Sequence, residues 1–147
     1  MKTSFPLTGI SSVAIHASGH DNADFAHLTP IYASSTFTFD TAQQGSDRFA
    51  GADKTNIYSR WGNPTFTTAE ETIAALEAFG LTGDDGKPLQ LKALLHASGQ
   101  AAMATLFLGT LKAGDTILSH FSLYGGTHEL MLKVLADTGI KTTIIDM

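Results

Sequence analysis

Strands and helices alternate along the second half of this 147-residue chain, and that alternation limits the folds open to it more than any other feature. Leu91 to Ala97 reads as a buried strand, Gly99 to Leu111 as an apolar helix and Thr116 to His120 as a second strand. Thr127 to Thr138 reads as a second helix and Thr142 to Asp146 as a third strand. Neighbouring parallel strands need a crossover of about a dozen or more residues, whereas antiparallel ones can be joined by a tight turn. Helices between successive strands therefore predict βαβ units, a parallel sheet and the α/β class. Parallel sheets are covered by helices on both faces. Three strands with two helices, the last strand running up to Met147, are accordingly expected to be the opening of a domain and not the whole of it.

Upstream the pattern changes. A helix is expected from about Phe66 to Phe79, because Thr67 and Glu70 have capping-box spacing, Ile73, Leu76 and Phe79 supply an apolar face, and Gly80 follows as a stop. Gly80 to Pro88, with its glycines, paired acids and proline, reads as a surface loop without regular structure. From Met1 to about Arg60 the chain is rich in Ser, Thr, Ala and Gly, with short extended pieces at Ile31-Tyr32 and Ser35 to Phe39. A stretch of that length without periodicity seldom builds a core of its own. It reads as an arm that packs on something else.

Composition narrows the partners. With 43% apolar and 16% charged residues the chain is expected to bury a core. Nine basic residues, scattered along the chain, stand against 14 acidic ones for a net charge of −5, which disfavours nucleic acid. No apolar run approaches the roughly 20 residues that span a bilayer, and Met1 to Pro6 lacks the apolar stretch of a signal peptide. No membrane partner and a cytoplasmic location are expected. The absence of cysteine removes disulfides, thiolate metal sites and a cysteine nucleophile from this chain. His16, His20, Asp21 and His27 fall close together, but Ala17-Ser18-Gly19 interrupts any shared helical face, so they read as solvated loop residues and no metal site is expected. His96, His120 and His128 sit at element ends with no metal-ligand spacing.

Three stretches carry possible chemistry. Ala97-Ser98-Gly99-Gln100-Ala101-Ala102 lies where a strand turns into a helix, so its free amides suit an anion; equally, it suits an ordinary turn capped by Ser98. The Gly-x-Gly-x-x-Gly pattern of dinucleotide sites is missing, and the P-loop likeness of Gly80 to Lys87 fails at Pro88, where a magnesium-binding hydroxyl belongs. Tyr58-Ser59-Arg60, if extended, sets a phenol and a guanidinium on one face to grip an anion, or else is a surface arginine beside a packing tyrosine. Tyr124, in the turn after Thr116 to His120, falls on the carboxyl-end rim where ligands of parallel sheets bind, the same rim as Ser98; alternatively it simply packs.

In this order the stretches resemble the N-terminal part of the pyridoxal-phosphate-dependent Cys/Met metabolism family, which includes cystathionine γ-synthase, cystathionine lyases, methionine γ-lyase and the homoserine-ester sulfhydrylases. The likeness rests on Ala14-Ile15-His16-Ala17, Thr29-Pro30-Ile31-Tyr32, Ser35 to Phe39, Asn56-Ile57-Tyr58-Ser59-Arg60, Gly62-Asn63-Pro64-Thr65, Ile73 to Glu77, Ala97 to Ala102 and Leu123-Tyr124-Gly125-Gly126-Thr127. It implies the start of a fold-type I, aminotransferase-like α/β subunit. Residues 1–64 would be an arm contacting a neighbouring subunit, and residues 65–147 the first part of the cofactor-binding domain. By the same likeness, Ser98, Gly99 and Gln100 match the turn whose amides hold the phosphate of pyridoxal 5′-phosphate. Tyr58 and Arg60 match the pair that reaches that phosphate from the adjacent subunit, and Tyr124 matches the tyrosine that stacks on the pyridine ring and takes part in proton transfer. An amino-acid substrate and a homo-oligomer, dimer or tetramer, are implied.

Two positions depart from the family pattern. The loop from Gly80 to Gln90 is longer than usual, and residue 126 is Gly where some methionine γ-lyases have Cys. Complete members are much longer and supply beyond this point the lysine that links to the cofactor, the aspartate on its ring nitrogen and the arginine for the substrate carboxylate. Lys92, Lys112, Lys133 and Lys141 lack the Ser-x-Thr-Lys context of that lysine. The expectation is thus a partial enzyme of sulfur amino-acid metabolism, inactive alone. The alternative is a non-catalytic remnant that binds the cofactor phosphate or pairs with full-length subunits.

Overall fold

The computed structural model describes residues 7–18 and 26–146, so His20 and Asp21 lie outside the described residues. Internal contacts divide the chain into two units, Met1–Leu95 and His96–Met147.

In the first unit, α1 (Ile10–His16) packs on α3 (Pro64–Glu77), burying Val13 and Ala74. A further helix, α2 (Ala42–Phe49), is capped by Thr41, whose hydroxyl accepts from the Gln44 amide at 3.1 Å. These two helices correct the reading of the first 60 residues as irregular: each is too short to show several turns of periodicity. Helix α3 starts ahead of its expected boundary, and its cap is Asn63 instead of Thr67. Pro64 sits in the first turn, where its fixed φ suits the helix and its missing N–H costs nothing, while the Asn63 side chain accepts from the Thr65 amide at 2.9 Å. The helix ends before Gly80, which adopts φ +75°. The loop beyond is more ordered than expected, folding back through an antiparallel bridge between Thr82 and Pro88.

Leu91 to Ala97 does not form the expected strand. A strand exists only through its ladder, and among the described residues nothing pairs with this stretch; Leu94 is 74% exposed. Its amide ladder is replaced locally by a bond from the Leu95 N–H to the Glu70 carboxylate at 2.8 Å.

The second unit is a βαβ unit led by α4 (Gly99–Thr110). Strand β1 (Thr116–His120) pairs in parallel with β2 (Lys141–Ile145), Thr116 opposite Lys141 and His120 opposite Ile145. The described sheet thus has two strands, not three. The crossover starts as α5 (Gly125–Glu129), two residues before the expected Thr127, runs through a π turn at Leu130–Val134 and ends as α6 (Leu135–Asp137). The Thr142 hydroxyl donates to the Met131 carbonyl in that turn at 3.2 Å.

The crossover closes in a Schellman motif: the Ile140 N–H donates to the Leu135 carbonyl at 3.1 Å and the Gly139 N–H to Ala136 at 2.9 Å. Gly139 supplies the positive φ of +83° that this ending needs. The motif folds Ile140 onto Leu135, and with Met131 these form the core, against which Phe107, Leu111, Ile117, Leu123 and Leu130 pack.

Candidate functional site

The turn into α4 leaves two amides open. Ser98 is extended, its hydroxyl accepting from the Ala101 N–H at 3.1 Å and its carbonyl from the Ala102 N–H at 3.1 Å. The Gly99 and Gln100 N–H groups precede the helical ladder and have no hydrogen-bond partner among the described residues. Nothing lies within 4 Å of where a Cβ on Gly99 would stand. Aligned peptide dipoles along the 12 residues of α4 favour negative charge at this end.

The Gln100 side chain is held by α5. Its Oε1 accepts from the Thr127 hydroxyl at 2.9 Å, tying the first turn of α4 to α5, and Thr127 is buried. Tyr124 occupies the N-cap position of α5, its carbonyl accepting from the Thr127 and His128 amides at 2.9 and 3.0 Å. Its side chain is 75% exposed, so the ring is not a core packer. Gly126 lies between the two: a Cβ there would stand 2.7 Å from both the Gln100 Nε2 and the edge of the Tyr124 ring. The second unit therefore sets the Gln100 side chain and the Tyr124 ring against one glycine, with Ser98 and Gly99 preceding Gln100 in the same turn. Thr127, the last residue of the Leu123 to Thr127 stretch but given no role by the sequence, is the partner that ties Gln100 to α5.

Tyr58 and Arg60 lie together in the first unit, but by a different route from the extended one expected. The Trp61 and Gly62 N–H groups both donate to the Tyr58 carbonyl, at 2.8 and 3.2 Å, making Tyr58 to Gly62 a turn. The Arg60 guanidinium stands 5.5 Å from the Tyr58 ring centre and 5.8 Å from that of Trp61. An extended piece would have put both side chains on one face by alternation; the turn does it by stacking. Phe39, Phe49, Tyr58, Arg60 and Trp61 are among the residues lining a groove of about 370 Å³.

In the same unit, Arg48 donates to the Asp53 carboxylate at 3.0 Å and to the carbonyls of Thr38 and Asn56 at 3.1 and 3.3 Å. The Thr55 hydroxyl and amide, then Arg48, hold the Asp53 carboxyl down at about 2.

A phosphate ester on a flat heteroaromatic ring needs amide donors, a cation and an aromatic surface. The open amides at Gly99 and Gln100, the Arg60 guanidinium and the exposed Tyr124 ring are of those types. A lysine that forms an imine must be desolvated to lower its pKa. Lys92, Lys112, Lys133 and Lys141 are all exposed, and Lys133 is paired with Glu129 at 2.6 Å, so none meets that need. Among the described residues there is no cluster of metal-ligating side chains, and no helix is long and apolar enough to cross a membrane.

A sequence profile of the Cys/Met metabolism PLP-dependent enzymes matches residues 11–147. The chain is 40% identical over 138 residues to an L-methionine gamma-lyase of Fusobacterium nucleatum subsp. polymorphum, covering 94% of this chain and 32% of the relative. It is 36% identical over 139 residues to an O-acetyl-L-homoserine sulfhydrylase of Corynebacterium glutamicum, covering 94% of this chain and 29% of that one. A putative O-acetylhomoserine (thiol)-lyase of Campylobacter jejuni, solved with N′-pyridoxyl-lysine-5′-monophosphate, superimposes with a TM-score of 0.78 at 25% identity. That match covers 94% of this chain and 31% of the solved one. The chain thus spans about a third of the length of the curated relatives it matches.

Proposed function

As this chain belongs to the Cys/Met metabolism PLP-dependent enzymes, we propose that it forms the N-terminal, phosphate-anchoring part of an enzyme of sulfur amino-acid metabolism. The reaction would be γ-elimination or γ-replacement on methionine, cystathionine or a homoserine ester. The reading is carried by the two unpartnered amides at Gly99 and Gln100, at the start of a helix whose Gln100 side chain is bonded to Thr127 in α5, the helix that the exposed Tyr124 caps. Relatives named for methionine γ-elimination and for homoserine-ester sulfhydrylation support the substrate class.

Pyridoxal 5′-phosphate, when bound, supplies an electron sink for charge developing on the substrate. The residues of this chain hold and orient. Gly99 and Gln100 donate their N–H groups to the phosphate, and Ser98 fixes the turn that aims them. Tyr124 offers its ring as a platform and its hydroxyl as a place to hold or accept a proton near the substrate. Arg60, with the Tyr58 hydroxyl, adds a cation and a donor from a neighbouring subunit. The arm of residues 1–64 would reach that neighbour in a dimer or tetramer, residues 65–147 would open the cofactor domain, and the assembly would work in the cytoplasm.

Product analysis on the family-length polypeptide that carries this chain tests the reading. Loaded with pyridoxal phosphate, it should release a thiol, ammonia and a 2-oxo acid from methionine or cystathionine, or join a homoserine ester to sulfide or cysteine with loss of the ester's carboxylate. Neither product, from a protein that retains the cofactor, contradicts it.

A further inference from the structure

We propose that Asn63 is a positioning residue: the donor half of its side-chain amide sets the turn that carries Tyr58 and Arg60. Asn63 is 3% exposed, and both ends of its amide are used. The Oδ1 accepts from the Thr65 N–H at 2.9 Å and caps α3. The Nδ2 donates toward the Tyr32 carbonyl at 3.0 Å, the Ser59 hydroxyl oxygen at 3.1 Å and the Ser34 carbonyl at 3.4 Å.

Ser59 is the residue between Tyr58 and Arg60, and its hydroxyl donates in turn to the Ser34 carbonyl at 2.5 Å. The Ser59 amide also donates to the Ser35 carbonyl at 2.9 Å, and the Tyr32 amide to Thr65 Oγ1 at 2.9 Å. Asn63 therefore sits where the 32–35 segment, the Tyr58 to Gly62 turn and the first turn of α3 meet. Only a side chain with a donor and an acceptor on one rigid group can cap the helix and grip the turn together. With Ser59 held, the turn brings Arg60 over the Tyr58 and Trp61 rings.

The inference rests on the proposed phosphate role of Tyr58 and Arg60 for its functional meaning, but the turn itself can be read without any cofactor. Trp61 is the one tryptophan of the sequence and stands 6.3 Å from the Tyr58 ring, centre to centre, so its emission reports on this turn. Asn63→Asp separates the two halves of the amide, because aspartate caps a helix as well as asparagine but donates nothing when ionised.

The full 147-residue chain is compared with Asn63→Asp, Ser59→Ala and Ala74→Gly by tryptophan emission and by the Arg60 Nε–H resonance. In Asn63→Asp the emission should shift, and the Arg60 resonance should lose the ring-current displacement given by Tyr58 and Trp61, with the far-UV helix signal retained. Ser59→Ala should move the same probes in the same direction, and it decides the matter if Asn63→Asp does not fold. Ala74→Gly, which weakens α3 near its C-terminal end, should move neither probe. Unmoved probes in a folded Asn63→Asp or in Ser59→Ala, or equal movement in Ala74→Gly, overturn the proposal. A separate arm measures pyridoxal phosphate retention in Arg60→Ala of the family-length protein: if retention is unchanged, the phosphate role of Arg60 falls, while the probes still decide whether Asn63 holds the turn.

Discussion

The Thr127 hydroxyl and Gln100 Oε1, 2.9 Å apart, join the first turns of two helices whose N-terminal ends carry the open amides and Tyr124. Thr127→Val keeps the shape and removes the donor, leaving the glutamine oxygen partly buried without it. A net hydrogen bond of this kind contributes about 0.5–1.5 kcal/mol. Urea unfolding of Thr127→Val should show a loss of that size, and the Tyr124 ring resonances should shift with it. A variant as stable as the parent contradicts the tie.

Leu135 is fully buried at the centre of the second unit's core, while Leu118 on β1 is 65% exposed. Leu135→Ala should cost about 2–5 kcal/mol through lost transfer energy and a residual cavity. That is a large share of the about 5–15 kcal/mol available to a domain. Leu118→Ala should stay within about 0.5 kcal/mol of the parent, as exposed substitutions do. Chemical denaturation of both variants checks the contrast, and equal costs would contradict the assigned core.

Strand β1 was legible in the sequence to its ends because Gly114-Asp115 and the turn after His120 bracket a short stretch built on Ile117 and Leu118 that has a partner within reach, β2. Leu91 to Ala97 is the more apolar of the two, but pairing is a tertiary event and no partner strand for it lies among the described residues. Helix α3 was legible in its body and misjudged at its start: Asn63-Pro64 is itself an N-cap signal, and the Thr67 and Glu70 spacing masked it. The spacing of Tyr58 and Arg60 allows a shared face only in an extended segment; the turn that stacks them depends on Asn63 and on Ser34, 25 residues before Ser59. The Gln100 to Thr127 bond spans 27 residues, and no local pattern contains it.

Asp53 is one source of acid sensitivity in the first unit, beside Asp85, whose carboxyl is lowered by hydrogen bonds from Lys87. The folded Asp53 carboxyl titrates at about 2, below its ordinary value of 3.8, because the Thr55 hydroxyl and amide and the Arg48 guanidinium stabilise the charged form. A depressed carboxyl contributes stability that is fully present above its unfolded pKa and is lost as pH falls through the folded one. The parent should therefore exceed Asp53→Asn in stability by a constant margin at neutral pH, and the margin should shrink between about pH 4 and about pH 2. Acid titration of the two proteins by circular dichroism checks this, and a margin independent of pH contradicts it.

Titration of the isotopically labelled chain with pyridoxal phosphate, and in parallel with pyridoxal lacking the phosphate, tests the anchoring role most directly. The Gly99 and Gln100 amide resonances should move with pyridoxal phosphate and with inorganic phosphate. They should stay in place with pyridoxal, and Ser98→Ala, which loses the cap that aims them, should weaken the response. Shifts confined to other residues, or equal shifts with pyridoxal, would contradict the assignment of this turn as the cofactor's phosphate anchor.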